Sequence, residues 1–141
     1  MSNCCGENAK KEGKSSECCG GAAKKNVLLY ACSGGANVAE ISDRAARELM
    51  FSGCGTMFCL AGLGAGIGGM IQTAKDADVN LVIDGCPMDC AKKVFEKAGI
   101  TNFAYVKVTD LGIEKVKGVR CTDEQVQKVV AKAKEVLAAQ Q

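Results

Sequence analysis

Apolar positions along this chain fall into short unbroken runs alternating with stretches of helical spacing. Val27 to Ala31 is apolar throughout and predicts a central strand. Val38, Ile41, Ala45 and Leu49 follow at helical intervals, and that helix stops near Gly53. Thr56, Met57 and Phe58 predict a short second strand ending at Cys59. A glycine-rich stretch, Ala61 to Gly69, leads into a helix around Met70 to Lys75. Leu81, Val82 and Ile83 predict a third, covered strand, broken by Asp84 and Gly85. Pro87 suits a first helical position, since its missing N–H would have no intrahelical partner. The helix then carries the stripe Ala91, Val94, Phe95 and Ala98 and ends at Gly99, while Lys92, Lys93, Glu96 and Lys97 form its solvated face. Phe103 to Val108 predict a fourth strand, and Glu114 to Val119 a fifth, edge-like one. Thr122 and Gln125 form a capping box for a last helix buried through Val126, Val129, Val130, Ala133 and Leu137.

Strand and helix alternate through this order. That pattern predicts a three-layer α/β fold, with helices on both faces of a four- to five-stranded, mostly parallel sheet. The expected class is Rossmann- or flavodoxin-like, with strand order 2-1-3-4. Residues 1–25 stand apart: they hold Cys4, Cys5, Cys18 and Cys19 among Gly, Ser, Lys and Glu, with almost nothing large and apolar. Such a stretch is expected to be a disordered, cysteine-rich tail preceding a single domain over 26–141. Its thiols read equally as a metal-capturing arm and as merely reactive vicinal pairs.

Composition narrows the chemistry. Histidine is absent from the 141 residues, which removes Cys–His and Ser–His catalysis. A net charge of +2 says nothing about nucleic acid, but few aromatics and no Trp make stacking on bases a poor prospect, and no nucleic-acid partner is expected. No apolar leader follows Met1, so the expected location is the cytoplasm, where ten cysteines favour metal or thiol chemistry over a disulfide framework.

Three motif readings fail on context. A cysteine phosphatase would need Arg six positions after Cys32, and Val38 stands there. Gly64, Gly66 and Gly69 fit a dinucleotide-binding glycine pattern, but after the second strand rather than the first. Phe51 to Ala74 is uncharged and contains Gly62 and Gly66 at G-x-x-x-G spacing, yet its glycines make it a poor membrane span. The reading kept is a close-packed glycine loop whose amides face the cysteine site.

That site is the rim where ligands bind in open parallel sheets, outside the carboxyl ends of the strands. Cys32 follows the first strand, Cys59 the second and Cys86 the third, and Cys90 is expected one turn into the third helix. Four thiols on one rim predict a tetrahedral site for Zn2+ or another thiophilic ion, and copper(I), cadmium, arsenite or an iron–sulfur cluster would suit the same donors. Asp84 is expected to act from behind the ligands, by hydrogen bonds to the turn. The alternative is a thiol-based redox or sulfur-transfer enzyme in which Cys86, activated by the helix N-terminus, is the nucleophile and Cys90 or Cys32 resolves it.

The chain resembles the DGC-domain family, whose members are proposed to bind zinc. The resemblance covers about Val27 to Val130. It is carried by Cys32-Ser33-Gly34 with Asn37-Val38, by Ala45-Ala46-Arg47-Glu48-Leu49, and by Cys59-Leu60-Ala61-Gly62. Ile83-Asp84-Gly85-Cys86-Pro87, Cys90-Ala91-Lys92-Lys93 and Val108-Thr109-Asp110-Leu111-Gly112 complete it. It implies Cys32, Cys59, Cys86 and Cys90 as metal positions. Cys54 and Cys121 lie outside the pattern, and the tail looks like an addition.

Overall fold

The strand at the centre of the sheet is buried along its whole length, from Val79 to Asp84. In a parallel sheet covered on both faces, both sides of such a strand meet apolar neighbours, so its sequence is a continuous run rather than an alternation. The computed structural model describes residues 25–140 of the chain. The tail expected over 1–25, with its four cysteines, therefore lies outside the described residues apart from Lys25.

The elements are β1 (Val27–Ala31), α1 (Asn37–Phe51), β2 (Thr56–Met57), α2 (Leu60–Gly64), α3 (Gly68–Asp76), β3 (Val79–Asp84), α4 (Cys90–Lys97), β4 (Phe103–Lys107) and α5 (Asp123–Ala138). A 3-10 turn spans Val108–Leu111. The four strands are all parallel, in the order β2-β1-β3-β4. Leu29 lies opposite Leu81, and Leu81 opposite Ala104. This is the expected Rossmann- or flavodoxin-like α/β architecture.

Alternation along β1 divides the core in two. Leu29, with Leu81, Ile83 and Val106, packs beneath α1 and α5 through Ile41, Leu49, Val126 and Val130. Leu28, Tyr30 and Cys32 turn to the other face, against Leu63, Ala74, Ala91 and Phe95 of α2, α3 and α4. The capping box is present in both directions: Gln125 N–H donates to Thr122 Oγ1 at 3.2 Å, and Thr122 N–H to Gln125 Oε1 at 3.0 Å. No helix among the described residues is long and apolar enough to cross a membrane.

Three local expectations change. The glycine stretch is not a loop but two short helices, α2 and α3, meeting at a corner where Gly66 takes φ 73°. A left-handed residue between two helices is where glycine carries no steric penalty. The segment Glu114–Val119 does not join the sheet. Its one bridge is antiparallel, Lys117 with Ala36, and Gly118 at φ 70° turns it away. We call it the strap. Finally, Pro87 lies in a turn and α4 begins only at Cys90. Cys90 is thus the first helical residue, and Cys86 sits in the turn before the helix.

Candidate metal centre

Cys32 is the first residue past β1, and its N–H still donates to Ile83 O of β3 at 3.0 Å. Its side chain continues the alternation of Leu28 and Tyr30 and is 9% exposed. Cys32 Sγ accepts from Gly85 N–H at 3.1 Å and donates to Ser42 Oγ at 3.7 Å. Burial pushes this thiol's pKa up, against the opposing pull of the Ser42 and Gly85 hydrogen bonds, and the nearby Asp84 carboxylate adds to the rise.

Asp84, Gly85 and Cys86 divide the work at the end of β3. The Asp84 carboxylate is 1% exposed and faces the start of α4. Its Oδ1 accepts from Ala91 N–H and its Oδ2 from Lys92 N–H, each at 2.9 Å. It thereby caps α4 from another element, since Asp89, the residue preceding the helix, has φ 52° and makes no side-chain cap. Gly85 is required by proximity: a Cβ there would stand 2.9 Å from the carbonyl carbon of Val38 in the first turn of α1. Only glycine lets the β3–α4 turn and α1 approach this closely, and that approach brings Gly85 N–H to Cys32. Cys86 then projects at the rim, half-buried, with its Sγ accepting from Lys115 Nζ at 3.2 Å.

Tyr105 closes the back of the turn. Its hydroxyl lies 2.8 Å from Asp89 Oδ1 and 3.1 Å from Asp84 Oδ2, one proton serving two carboxylates. Burial, the hydrogen bond to Asp89 and the charge of Asp84 hold the phenol well above its ordinary pKa. The same hydroxyl, together with Lys107 at 3.0 Å, holds the Asp89 carboxyl below the usual range.

Cys32, Cys86 and Cys90 line one cavity of about 210 Å³, with Met88, Lys115 and Lys117. Cys59, at the head of α2, is exposed and does not line it. Of the four thiols expected on the rim, three line one cavity and the fourth does not. The glycine stretch also stays outside this cavity's wall. By donor type the cavity fits a thiophilic ion, offering three thiols and a thioether with no imidazole. By spacing the thiols are separate: among the described residues no three Cys, Asp or Glu side chains form a group that could hold a metal ion. Cys54 is buried in the α1–α5 core, and Cys121 accepts from Arg44 Nη1 at 3.4 Å, away from the cavity.

Sequence reasoning missed the lysines and Met88. The signal for Lys115 and Lys117 was present in their i, i+2 spacing, which puts two side chains on one side of an extended segment. What was missing was where the strap lies.

Comparison with known proteins follows the same residues. A family model described as the DGC domain matches residues 28–133. The anaerobic and virulence modulator AnvM of Pseudomonas aeruginosa is 26% identical over 102 residues, which cover 72% of this chain and 78% of AnvM. No solved structure matches the chain.

Proposed function

The chain belongs to the DGC-domain family, and from that premise we propose that its sheet rim binds a thiophilic metal ion, zinc foremost, for handling or sensing of the metal. Cys32, Cys86 and Cys90 are the ligands that share the cavity, and Cys59 is the fourth, reaching in from the head of α2. The observation that carries this reading is the meeting of three thiols, from two strand ends and a helix start, around one cavity.

The surroundings suit thiolate ligands. Gly85 N–H donates to Cys32 Sγ and Lys115 Nζ to Cys86 Sγ, so two of the four proposed ligands already accept a hydrogen bond. Asp84 fixes the turn bearing Cys86 to the helix bearing Cys90, which keeps the two thiols in a constant relation. A four-thiolate zinc is coordinatively closed and supplies structure or a releasable ion rather than an activated water. AnvM is described as a modulator, and a sensing role here is of that kind.

A second reading draws on the Lys115–Cys86 contact. A thiol beside an ammonium suits nucleophilic or redox chemistry, with Cys86 attacking and Cys32 or Cys90 resolving. Metal content separates the two. The full chain, purified under anaerobic reducing conditions, is expected to hold about one zinc per chain by mass spectrometry. That zinc persists when Cys4, Cys5, Cys18 and Cys19 are all replaced by Ser, and is lost in Cys86→Ser. A metal-free full chain with rapid alkylation of Cys86 would overturn the metal reading in favour of the thiol one.

A further inference from the structure

The strap forms one side of the cavity and brings two exposed lysines to it, Lys115 with its ammonium on Cys86 Sγ. Lys115 and Lys117 both line the wall, and an extended backbone puts residues two apart on the same side. Their main chain is held in place. Asn37, 5% exposed, accepts Val116 N–H at 2.7 Å through Oδ1 and donates to Glu114 O at 2.9 Å through Nδ2. Asn37 N–H donates to Val116 O, and Gly118 N–H to Gly35 O, each at 3.0 Å. The lysines are therefore carried by a segment tied to the β1–α1 loop, not by a free chain.

Their charges are poorly answered. Among the described residues the Lys115 ammonium has one hydrogen bond, to the Cys86 thiol, and the Lys117 side chain has no ion pair or hydrogen bond. The one carboxylate lining the cavity is Asp84, whose oxygens are already engaged by two amides and the Tyr105 hydroxyl. Two lysines thus line a concave space whose other walls are the three thiols, the Ser33–Gly35 loop and the apolar Ala36, Val38, Ala39 and Met88. A concavity lined by unmatched charge concentrates ions of the opposite sign.

We propose that this cavity is a binding site for a small tetrahedral oxyanion, held by Lys117 and Lys115 against the Ser33–Gly35 loop and beside the cavity thiols. At about 210 Å³ the space equals the volume of about seven waters, enough for one such anion and its remaining hydration. The thiols that share the cavity with the lysines give sulfur-bearing oxyanions a polarisable surface to pack against, so thiosulfate and sulfate are the informative pair. The proposal does not depend on a metal being bound.

The test is calorimetric titration of the full chain, reduced and at low ionic strength, with sulfate and with thiosulfate. It is run on the protein as purified and after chelation, with metal content measured in parallel. One saturable site is expected for at least one of the two anions, weakening as salt is raised. Lys117→Ala should weaken it roughly tenfold, the equivalent of about 1.4 kcal/mol. Lys117→Arg, which keeps the charge, should restore most of the loss. Lys132→Ala, remote on α5, should leave the affinity unchanged. An unchanged urea midpoint in Lys117→Ala confirms that the fold is intact. No saturable binding of either anion, or equal affinity in the native chain and Lys117→Ala, would overturn the proposal. A chain that binds the anion but no zinc removes the metal reading and leaves the anion site standing; the opposite pattern does the reverse.

Discussion

At Gly85 the constraint is a single missing methyl group. A Cβ would press on the Val38 backbone, which cannot yield as a flexible side-chain end would. Gly85→Ala is therefore expected to cost about 1–3 kcal/mol, read as a lowered urea midpoint. It should also part Gly85 N–H from Cys32 Sγ, removing a hydrogen bond that lowers this thiol's pKa. Cys32 itself carries a pH dependence. Its pKa is raised in the folded chain, so the folded form keeps a proton that the unfolded form gives up. The stability from this source is whole below the ordinary thiol pKa, about 8.5, and is lost as pH rises through the higher folded value. The metal-free chain should lose stability as pH rises above about 8.5 more steeply than its Cys32→Ala variant, by urea midpoints across that rise. The identity of these residues as special was legible from the sequence, because an Asp-Gly-Cys break after a buried run is conspicuous. The reason for the glycine was not, because its neighbour Val38 is far away in the chain.

Among the elements, α4 shows how a helix can be capped from outside its own sequence. Its start looked like Cys86-Pro87, with proline leading, but the helix begins at Cys90 because its first free amides are answered by Asp84 at the end of β3. Asp84→Ala removes both acceptors and a partner of Tyr105. We expect it to destabilise the chain by about 2–3 kcal/mol, with faster amide exchange at Ala91 and Lys92 than in β3. The strap is the second case. Its alternating polar pattern resembled an edge strand, yet its partner is the β1–α1 loop, and Asn37 supplies the hydrogen bonds that a neighbouring strand would have. By contrast α5 was legible end to end, since its capping box and apolar stripe are both local.

In the whole molecule two cores lie on either side of one sheet, and the cavity opens at the rim where both faces end. Phe95 anchors the α4 side, fully buried, with its ring 4.8 Å from that of Tyr30 and 5.3 Å from that of Phe103, edge to face in both cases. Phe95→Ala should cost about 3–5 kcal/mol in urea unfolding. Because α4 starts at the cavity, the variant should also lower metal retention, an effect that an α5 variant of similar cost would not reproduce. The alternation of strands and helices and the parallel sheet were legible in the sequence, and the 2-1-3-4 order it suggested is the one observed. Apolar runs, helical stripes and the handedness of crossovers are near-neighbour properties that any chain with this pattern must satisfy. The placement of cysteines after strand ends followed for the same reason. Only tertiary packing decided which thiols share a space, that Cys59 does not line it, and that Lys115 and Lys117 line the same cavity as Cys32 and Cys86. Those relations depend on how far a turn swings and where a strap settles, and such positions are set by contacts between residues far apart in the chain.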